Sequence, residues 1–341
     1  MYKVKFTPAD TSFNSIYHRQ TAHHDLVSLD GRYLFLIDDT EEADFWVVQG
    51  KGIRAQQHCR VAPQNTIFLT TEPESILVYP KRFLRQFGLV CSCQEKIKHS
   101  NVLYGPAILP WYVGVKENGK PVDSFCLDYD NLKGTSCREQ KKRLISVITS
   151  DKVFTQGHID RIRFVRYLRD YFGNRLDVFG RGFRTFDDKW DVLAPYKYHI
   201  SIENSSQKYY WTEKISDCFL AECFPFYYGC TNLSDYFPSE SFLPINLCHP
   251  EKAIELIEEA IAKDRATQAA AALAESKRRV LEEYNMFEYV ARLCDRLNPE
   301  APKKDVCIQP CYSSDEPRNL LHYTFTRSYY KLKAKLLGAK L

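Results

Sequence analysis

The stretch YKYHISIENSSQKYYWTEKISDCFLAECFPFYYG, residues 196 to 229, decides the fold of this chain. An apolar run leads into a polar loop, then into a helical segment that begins near Thr212, and a second apolar run ends at Gly229. Strand, helix and strand in this order predict a parallel β-α-β unit. Its helix begins at the carboxyl edge of the sheet, where free N–H groups and the helix dipole attract anions. Lys214 adds a positive charge there, so the segment predicts either a diphosphate site or, as the alternative, Glu213 and Lys214 as surface charges at a helix start.

The same alternation of strands and helices extends in both directions and predicts an α/β protein. In the second half, strands are expected at Arg143–Thr149 and Leu176–Phe179, with a helix at His158–Phe172 between them. Pro250–Leu297 should be almost entirely helical. In the first half, strands are expected at residues 33–38, 45–49, 65–72 and 88–93, and a short helix at 80–87.

These elements predict two Rossmann-like domains that face a cleft, followed by a tail. The first domain should span residues 1–140 and close with a polar loop at Lys116–Gly134, and the second should span residues 141–298. The tail, residues 299–341, is expected to be irregular at first and then basic and aromatic, with no acidic residue after position 319.

Composition narrows the class of protein further. The chain has 341 residues, 44% hydrophobic and 26% charged, which suits a two-domain globular protein. A net charge of +4 gives no reason to expect a nucleic-acid partner. The opening residues lack an apolar leader and no run of about 18 apolar residues follows. We therefore expect a cytoplasmic protein whose 12 cysteines are free thiols.

The stretch from Tyr196 to Gly229 resembles the donor-site signature of the family-10 fucosyltransferases. The matching residues are Glu203-Asn204, the run Tyr210–Lys214 and Tyr227-Tyr228-Gly229, and the following NLSDYFPSESFLPINL is similar to the next segment of that family. The resemblance implies a GT-B fold and an inverting transfer of fucose from GDP-fucose to a glycan hydroxyl. The implied acceptor contains GlcNAc or Glc, with an α-1,3 or α-1,4 linkage.

The resemblance also implies a set of donor-binding residues. Lys214 would neutralise the donor diphosphate, with Arg161 as a second cation and Arg163 as the alternative. Glu213 would accept hydrogen bonds from the sugar. Tyr210 would help to hold the nucleotide-sugar and Asn204 would line the same site.

The general base is expected in the first domain. An inverting transfer needs a carboxylate that accepts the proton of the attacking hydroxyl. Glu72 follows a predicted strand in FLTTEPES and is similar in context to the proposed base of the family, with Glu74 as the alternative. Three histidines are further candidates that their spacing does not distinguish. They are His58, His99 and His199.

No metal or other cofactor is expected, because the family uses protein cations to stabilise the leaving group. The acidic run Asp187–Asp191 is therefore not predicted to bind a metal. The basic tail, with Arg327 and Lys331 among its cations, predicts either peripheral contact with an anionic membrane or a helix packed on the protein. The first would suit an enzyme on the inner face of a bacterial membrane that builds lipopolysaccharide.

Two alternatives stay open from the sequence. A transferase of the same fold with another nucleotide-sugar donor would show the same cations, because few residues contact the sugar ring. A non-catalytic protein that binds membrane surfaces through its tail is the other.

Overall fold

The computed structural model describes residues 1–9, 14–115, 127–151, 153, 155–311, 328–330 and 332–333. The chain divides into two compact units, neither of them continuous in sequence. The first unit consists of Met1–Gly134, Lys208–Glu213 and Arg278–Ser313. The second consists of Thr135–Gln207, Lys214–Lys277 and Ser314–Leu341.

A six-stranded parallel sheet forms the centre of the first unit, in the order β2-β1-β3-β5-β6-β7. Its inner strands are almost wholly buried, as expected for a parallel sheet. The strands are β1 (Tyr2–Thr7), β2 (Tyr33–Ile37), β3 (Phe45–Gln49), β5 (Thr66–Leu69), β6 (Leu89–Ser92) and β7 (Val102–Tyr104).

Short helices and a two-stranded ribbon complete this unit. The helices are α1 (Asn14–His18), α2 (Lys81–Leu84) and α3 (Tyr129–Gly134). The ribbon pairs β4 (Gln57–Val61) with the late strand β13 (Lys304–Ile308) in antiparallel fashion. Helix α9 (Met286–Cys294) also belongs here, with its Phe287 ring 4.7 Å from that of Phe35.

The second unit is built on a five-stranded parallel sheet, in the order β12-β11-β10-β8-β9. Its central strand reads YKYHISI and is buried along nearly its whole length, because both faces of the sheet are covered. The strands are β8 (Arg143–Ile148), β9 (Leu176–Phe179), β10 (Tyr196–Ile202), β11 (Phe224–Tyr228) and β12 (Leu243–Pro244).

Helices connect these strands and follow them. Helix α4 (Gln156–Phe172) begins after Thr155, whose hydroxyl accepts a hydrogen bond from the His158 N–H and so caps the helix. The others are α5 (Glu213–Leu220), α6 (Pro250–Ala262), α7 (Arg265–Gln268) and α8 (Ala270–Glu282). None of the helices within the described residues is long and apolar enough to cross a membrane.

The α/β class with two Rossmann-like parallel sheets is confirmed. Two expectations about the chain between these elements need correction. Lys116–Gly134 does not end as a loop, since α3 forms there; residues 116–126 lie outside the described part. The stretch after Pro299 is not irregular, because β13 pairs with β4.

The observed units also differ from the expected boundaries at 140 and 298. Residues 278–313 are part of the first unit, and Phe287 of α9 buries its side chain between Phe6 and Phe35 there. Burial of these apolar rings favours the return of the chain to the first unit.

Candidate active site

The carboxyl edge of the second sheet collects most of the predicted donor-binding residues. Ser150 follows β8, the pair Glu203-Asn204 follows β10, and Gly229 follows β11. Ligands of open α/β folds bind at this edge of the sheet, outside the strand ends.

Arg161, on the second turn of α4, links two of these strand ends. Its Nη1 donates a hydrogen bond of 3.0 Å to the side-chain oxygen of Asn204. Its Nη2 lies 3.3 Å from both the carbonyl oxygen and the hydroxyl of Ser150. Its Nε is buried and makes no hydrogen bond within the described residues. The hydrogen bonds of Nη1 and Nη2 therefore fix the orientation of the guanidinium.

Burial weakens the hold of this guanidinium on its proton. Arg161 is only 7% exposed. Removal from water lowers its pKa to about 10, while the negative charge of Glu203 acts in the opposite direction. The side chain is still charged at neutral pH, so the site contains a buried cation.

Glu203 also holds the second predicted cation. Its carboxylate, whose side chain is 0% exposed, lies 3.2 Å from the Lys214 Nζ, whose side chain is 28% exposed. We define the Arg161–Glu203–Lys214 cluster as these three charged side chains. The sequence motif includes Glu203, but its role in this cluster was not predicted. The signal was present, since a carboxylate directly after a buried strand requires a partner.

A cavity of about 560 Å³ lies at the same edge of the second sheet. Ser206 and Gly229 line it from the ends of β10 and β11, and Asn246 lines it after β12. This volume lies within the usual range for small-molecule sites.

Two predicted donor residues occupy different surroundings. Glu213 is the first residue of α5, directly before Lys214, and is half-buried. Tyr210 is only 1% exposed and lies in an apolar cluster of the first unit with Cys93 and Ala107. The Tyr210 ring therefore contributes to the core of the first unit.

Glu72 lies beyond the carboxyl end of β5, as its position in the sequence predicts, and is half-buried. Its backbone oxygen accepts a hydrogen bond of 2.7 Å from the Gln94 amide, which fixes the loop. The alternative, Glu74, forms an ion pair of 2.9 Å with Lys96.

The three candidate histidines belong to other elements than the loop that contains Glu72 and Glu74. His58 belongs to β4 and His99 to the loop before β7. His199 is buried in β10, where its Nδ1 lies 2.8 Å from the Ser146 hydroxyl. That hydroxyl donates to the Val192 carbonyl, so it accepts from His199, whose Nδ1 carries the proton.

The remaining predicted features are described only in part. In the acidic run, Asp188 accepts a hydrogen bond of 2.8 Å from the Trp190 N–H. Across the described residues, no group of three or more His, Cys, Asp or Glu side chains has a geometry that could hold a metal. In the tail, Tyr330 packs against a cluster that includes Ile159. Arg327, Lys331 and most of the tail lie outside the described residues.

Comparison with known proteins identifies the family of one segment of the chain. Residues 138–270 match the profile of glycosyltransferase family 10 (fucosyltransferase), C-terminal region. This segment is a family-10 fucosyltransferase domain. It contains the whole Arg161–Glu203–Lys214 cluster, so the predicted resemblance is confirmed where the cluster lies. The comparison with curated proteins gave no match.

Solved structures with a similar fold include three described as alpha1,3-fucosyltransferase. One covers 79% of this chain and 80% of its own, at 16% identity and a TM-score of 0.49. The form with GDP covers 84% and 92%, at 17% identity and a TM-score of 0.47. The form with GDP-fucose covers 96% and 90%, at 16% identity and a TM-score of 0.41. At these scores the matches identify neither a donor nor an acceptor for this family-10 domain.

Proposed function

We propose that this protein is an inverting fucosyltransferase that transfers L-fucose from GDP-fucose to a hydroxyl of a glycan containing GlcNAc or Glc. The proposed linkage is α-1,3, with α-1,4 as the alternative. The observation that carries the proposal is the family-10 match over the segment that places Arg161 and Lys214 at one sheet edge around Glu203.

The proposed reaction breaks the bond between the fucose anomeric carbon and the GDP oxygen. Both electrons of that bond leave with GDP, so negative charge grows on the diphosphate as the bond breaks. Lys214 and Arg161 would stabilise this charge, the lysine as a point charge and the arginine through its fixed donors. The cavity of about 560 Å³ offers room for the nucleotide.

The acceptor oxygen would form the new bond on the opposite face of the anomeric carbon, which inverts its configuration. We propose Glu72 as the general base that takes the proton of that hydroxyl. Glu213 would accept hydrogen bonds from the fucose hydroxyls, and Asn204 would line the donor site. Tyr210, given its burial, would support the segment before α5.

The wider setting is proposed on the same basis. We propose that the enzyme needs no metal or other cofactor, because the cluster supplies the cations that would otherwise come from Mg²⁺ or Mn²⁺. We also propose a cytoplasmic enzyme that acts on lipopolysaccharide or protein glycans, with its basic tail against the inner face of the membrane.

A donor panel tests the proposal. Thermal unfolding is measured with GDP-fucose, GDP-mannose, UDP-glucose and no ligand, each with EDTA present. The proposal expects stabilisation by GDP-fucose, followed by transfer to an N-acetyllactosamine acceptor whose product is analysed for linkage. Stabilisation by GDP-mannose or UDP-glucose without any by GDP-fucose would refute the donor.

A second experiment tests the base. We expect Glu72→Gln to lower kcat by about 10²- to 10⁴-fold, because the proton acceptor is lost, and to leave GDP affinity unchanged. Glu74→Gln is the matched control, since it removes the neighbouring carboxylate from an exposed ion pair with Lys96. Full activity in Glu72→Gln would exclude Glu72 as the base.

A further inference from the structure

Glu203 occupies a central place in the cluster and has no part in the reaction as proposed so far. Its carboxylate is fully buried at the end of β10 and lies 3.2 Å from the Lys214 Nζ. The same negative charge acts on the buried Arg161 guanidinium and on the buried Tyr227 hydroxyl. A single anion thus faces both cations that are proposed to receive the diphosphate.

We infer that Glu203 is a positioning residue, which fixes the Lys214 ammonium in the geometry that a nucleoside diphosphate requires. This inference rests on the proposed function. A lysine side chain that is 28% exposed has many rotamers, and holding it in one before the ligand arrives lowers the entropy cost of binding. The carboxylate also stabilises the charge on Arg161, which burial otherwise disfavours.

The backbone at the end of β11 is shaped around the same side chain. Gly229 lies so close to Glu203 that a Cβ added there would overlap the Glu203 Cγ and lie 2.8 Å from its Cβ. The Tyr227 hydroxyl lies 2.5 Å from the same point. A side chain at position 229 would therefore force the glutamate or the tyrosine to shift. The absence of a side chain at position 229 therefore keeps the carboxylate in place.

Simple electrostatics and positioning predict opposite signs for the same substitution. If Glu203 acted only through its charge, Glu203→Gln would remove a repulsion and GDP would bind more tightly. If Glu203 positions Lys214, the substitution releases the ammonium, and GDP should bind about tenfold more weakly. Isothermal titration of GDP into the full-length protein measures the sign.

The same substitution in a Lys214→Met protein distinguishes positioning by Glu203 from a general structural role. In Lys214→Met protein the ammonium is absent, so adding Glu203→Gln should change the GDP dissociation constant by less than about twofold. A structural role would weaken binding equally in both backgrounds. Tighter or unchanged binding in Glu203→Gln, or equal weakening in both backgrounds, would overturn the inference. Wild-type protein that binds no GDP would refute the proposed function itself, and the inference with it.

A variant that keeps the Glu203 carboxylate is the test to use if Glu203→Gln does not fold. Gly229→Ala displaces the glutamate without removing it, and we expect GDP affinity to fall at least about fivefold in otherwise wild-type protein but less than about twofold in Lys214→Met protein. Obstruction of the cavity that Gly229 lines would instead weaken binding equally in both. Gly134→Ala is the matched control, because a Cβ there meets no atom within 4 Å. Unchanged GDP affinity in Gly229→Ala would overturn the inference.

Discussion

Replacing Arg161 with methionine separates the cost of burying a charge from its benefit to ligand binding. Methionine is unbranched and uncharged, and it fills irregular apolar space well. The substitution removes the hydrogen bond to Asn204 and the two contacts with Ser150. Glu203 keeps Lys214 as a partner, so its carboxylate is not left without a counter-charge.

The change in stability follows from two opposing contributions. Burial lowers the pKa of Arg161 well below its ordinary value, to about 10. At about 1.4 kcal/mol per pKa unit, the charged guanidinium costs the folded state about 3 kcal/mol relative to its neutral form. The lost hydrogen bonds, at about 1 kcal/mol each, amount to a similar sum. The free energy of unfolding should therefore change by less than about 2 kcal/mol.

The effect on GDP affinity should be much larger than this. A charged donor to a phosphate oxygen contributes about 1.5–3 kcal/mol, so the dissociation constant of GDP should rise about 10- to 150-fold. Urea unfolding measures the first quantity and isothermal titration the second. Arg163→Met is the matched control, since Arg163 lies exposed on the same helix. The control should leave both quantities unchanged.

One result would refute this reasoning. If Arg161→Met lost more than about 4 kcal/mol of stability while its folded fraction bound GDP normally, Arg161 would be a structural residue. The donor site would then need another second cation. Equal losses of GDP affinity in Arg161→Met and Arg163→Met would show that net charge, rather than position, determines binding.

Three further outcomes are expected from the second unit. Burial lowers the pKa of His199 to about 3. Below pH 6.5 the His199 imidazole is therefore protonated in the unfolded state and stays neutral in the folded state. The free energy of unfolding in urea should therefore fall by about 2 kcal/mol between pH 7 and pH 5, and His199→Gln should not show this fall. An equal fall in the variant would contradict this. Gly180→Ala should lower the free energy of unfolding by over about 3 kcal/mol, because Gly180 has a φ of 113° and an added Cβ would overlap a backbone oxygen. In the control Gly173→Ala the added Cβ meets no neighbour, and thermal unfolding should show a loss of about 1 kcal/mol. Equal costs would contradict the role of close packing. Asp217→Ala should lower the free energy of unfolding by about 2 kcal/mol, because it removes the buried carboxylate that lies 2.8 Å from the half-buried Lys189 ammonium. A loss below about 1 kcal/mol in urea unfolding would contradict this.

The second sheet was predictable because its strands are short apolar runs between polar turns. Leu176–Phe179 and Phe224–Tyr228 form strands with the predicted ends. The first sheet was less predictable from the sequence. Strand β1 alternates lysine with apolar residues, and Lys5 is buried through a hydrogen bond to the Thr40 carbonyl that sequence periodicity does not reveal. Strand β13 exists only through its pairing with β4, which is remote in sequence.

The site divides in the same way. The placement of Arg161, Asn204 and Lys214 at one sheet edge was predictable, because residues at strand ends and helix starts share one edge of a parallel sheet. The part played by Glu203 required coordinates, since an ion pair between a strand end and a helix start depends on side-chain direction. The burial of Tyr210 among residues of the first unit also depends on tertiary packing.

The first unit recruits its last helix and strand from residues 278–313, after the chain has completed most of the second unit. A ribosome therefore releases the start of the first core long before Phe287, which fills it, has been synthesised. During that interval Phe6 and Phe35 have no partner from α9, which favours chaperone binding or aggregation of nascent chains. A fragment that stops at residue 140 never receives α9, so it should remain prone to chaperone binding or aggregation.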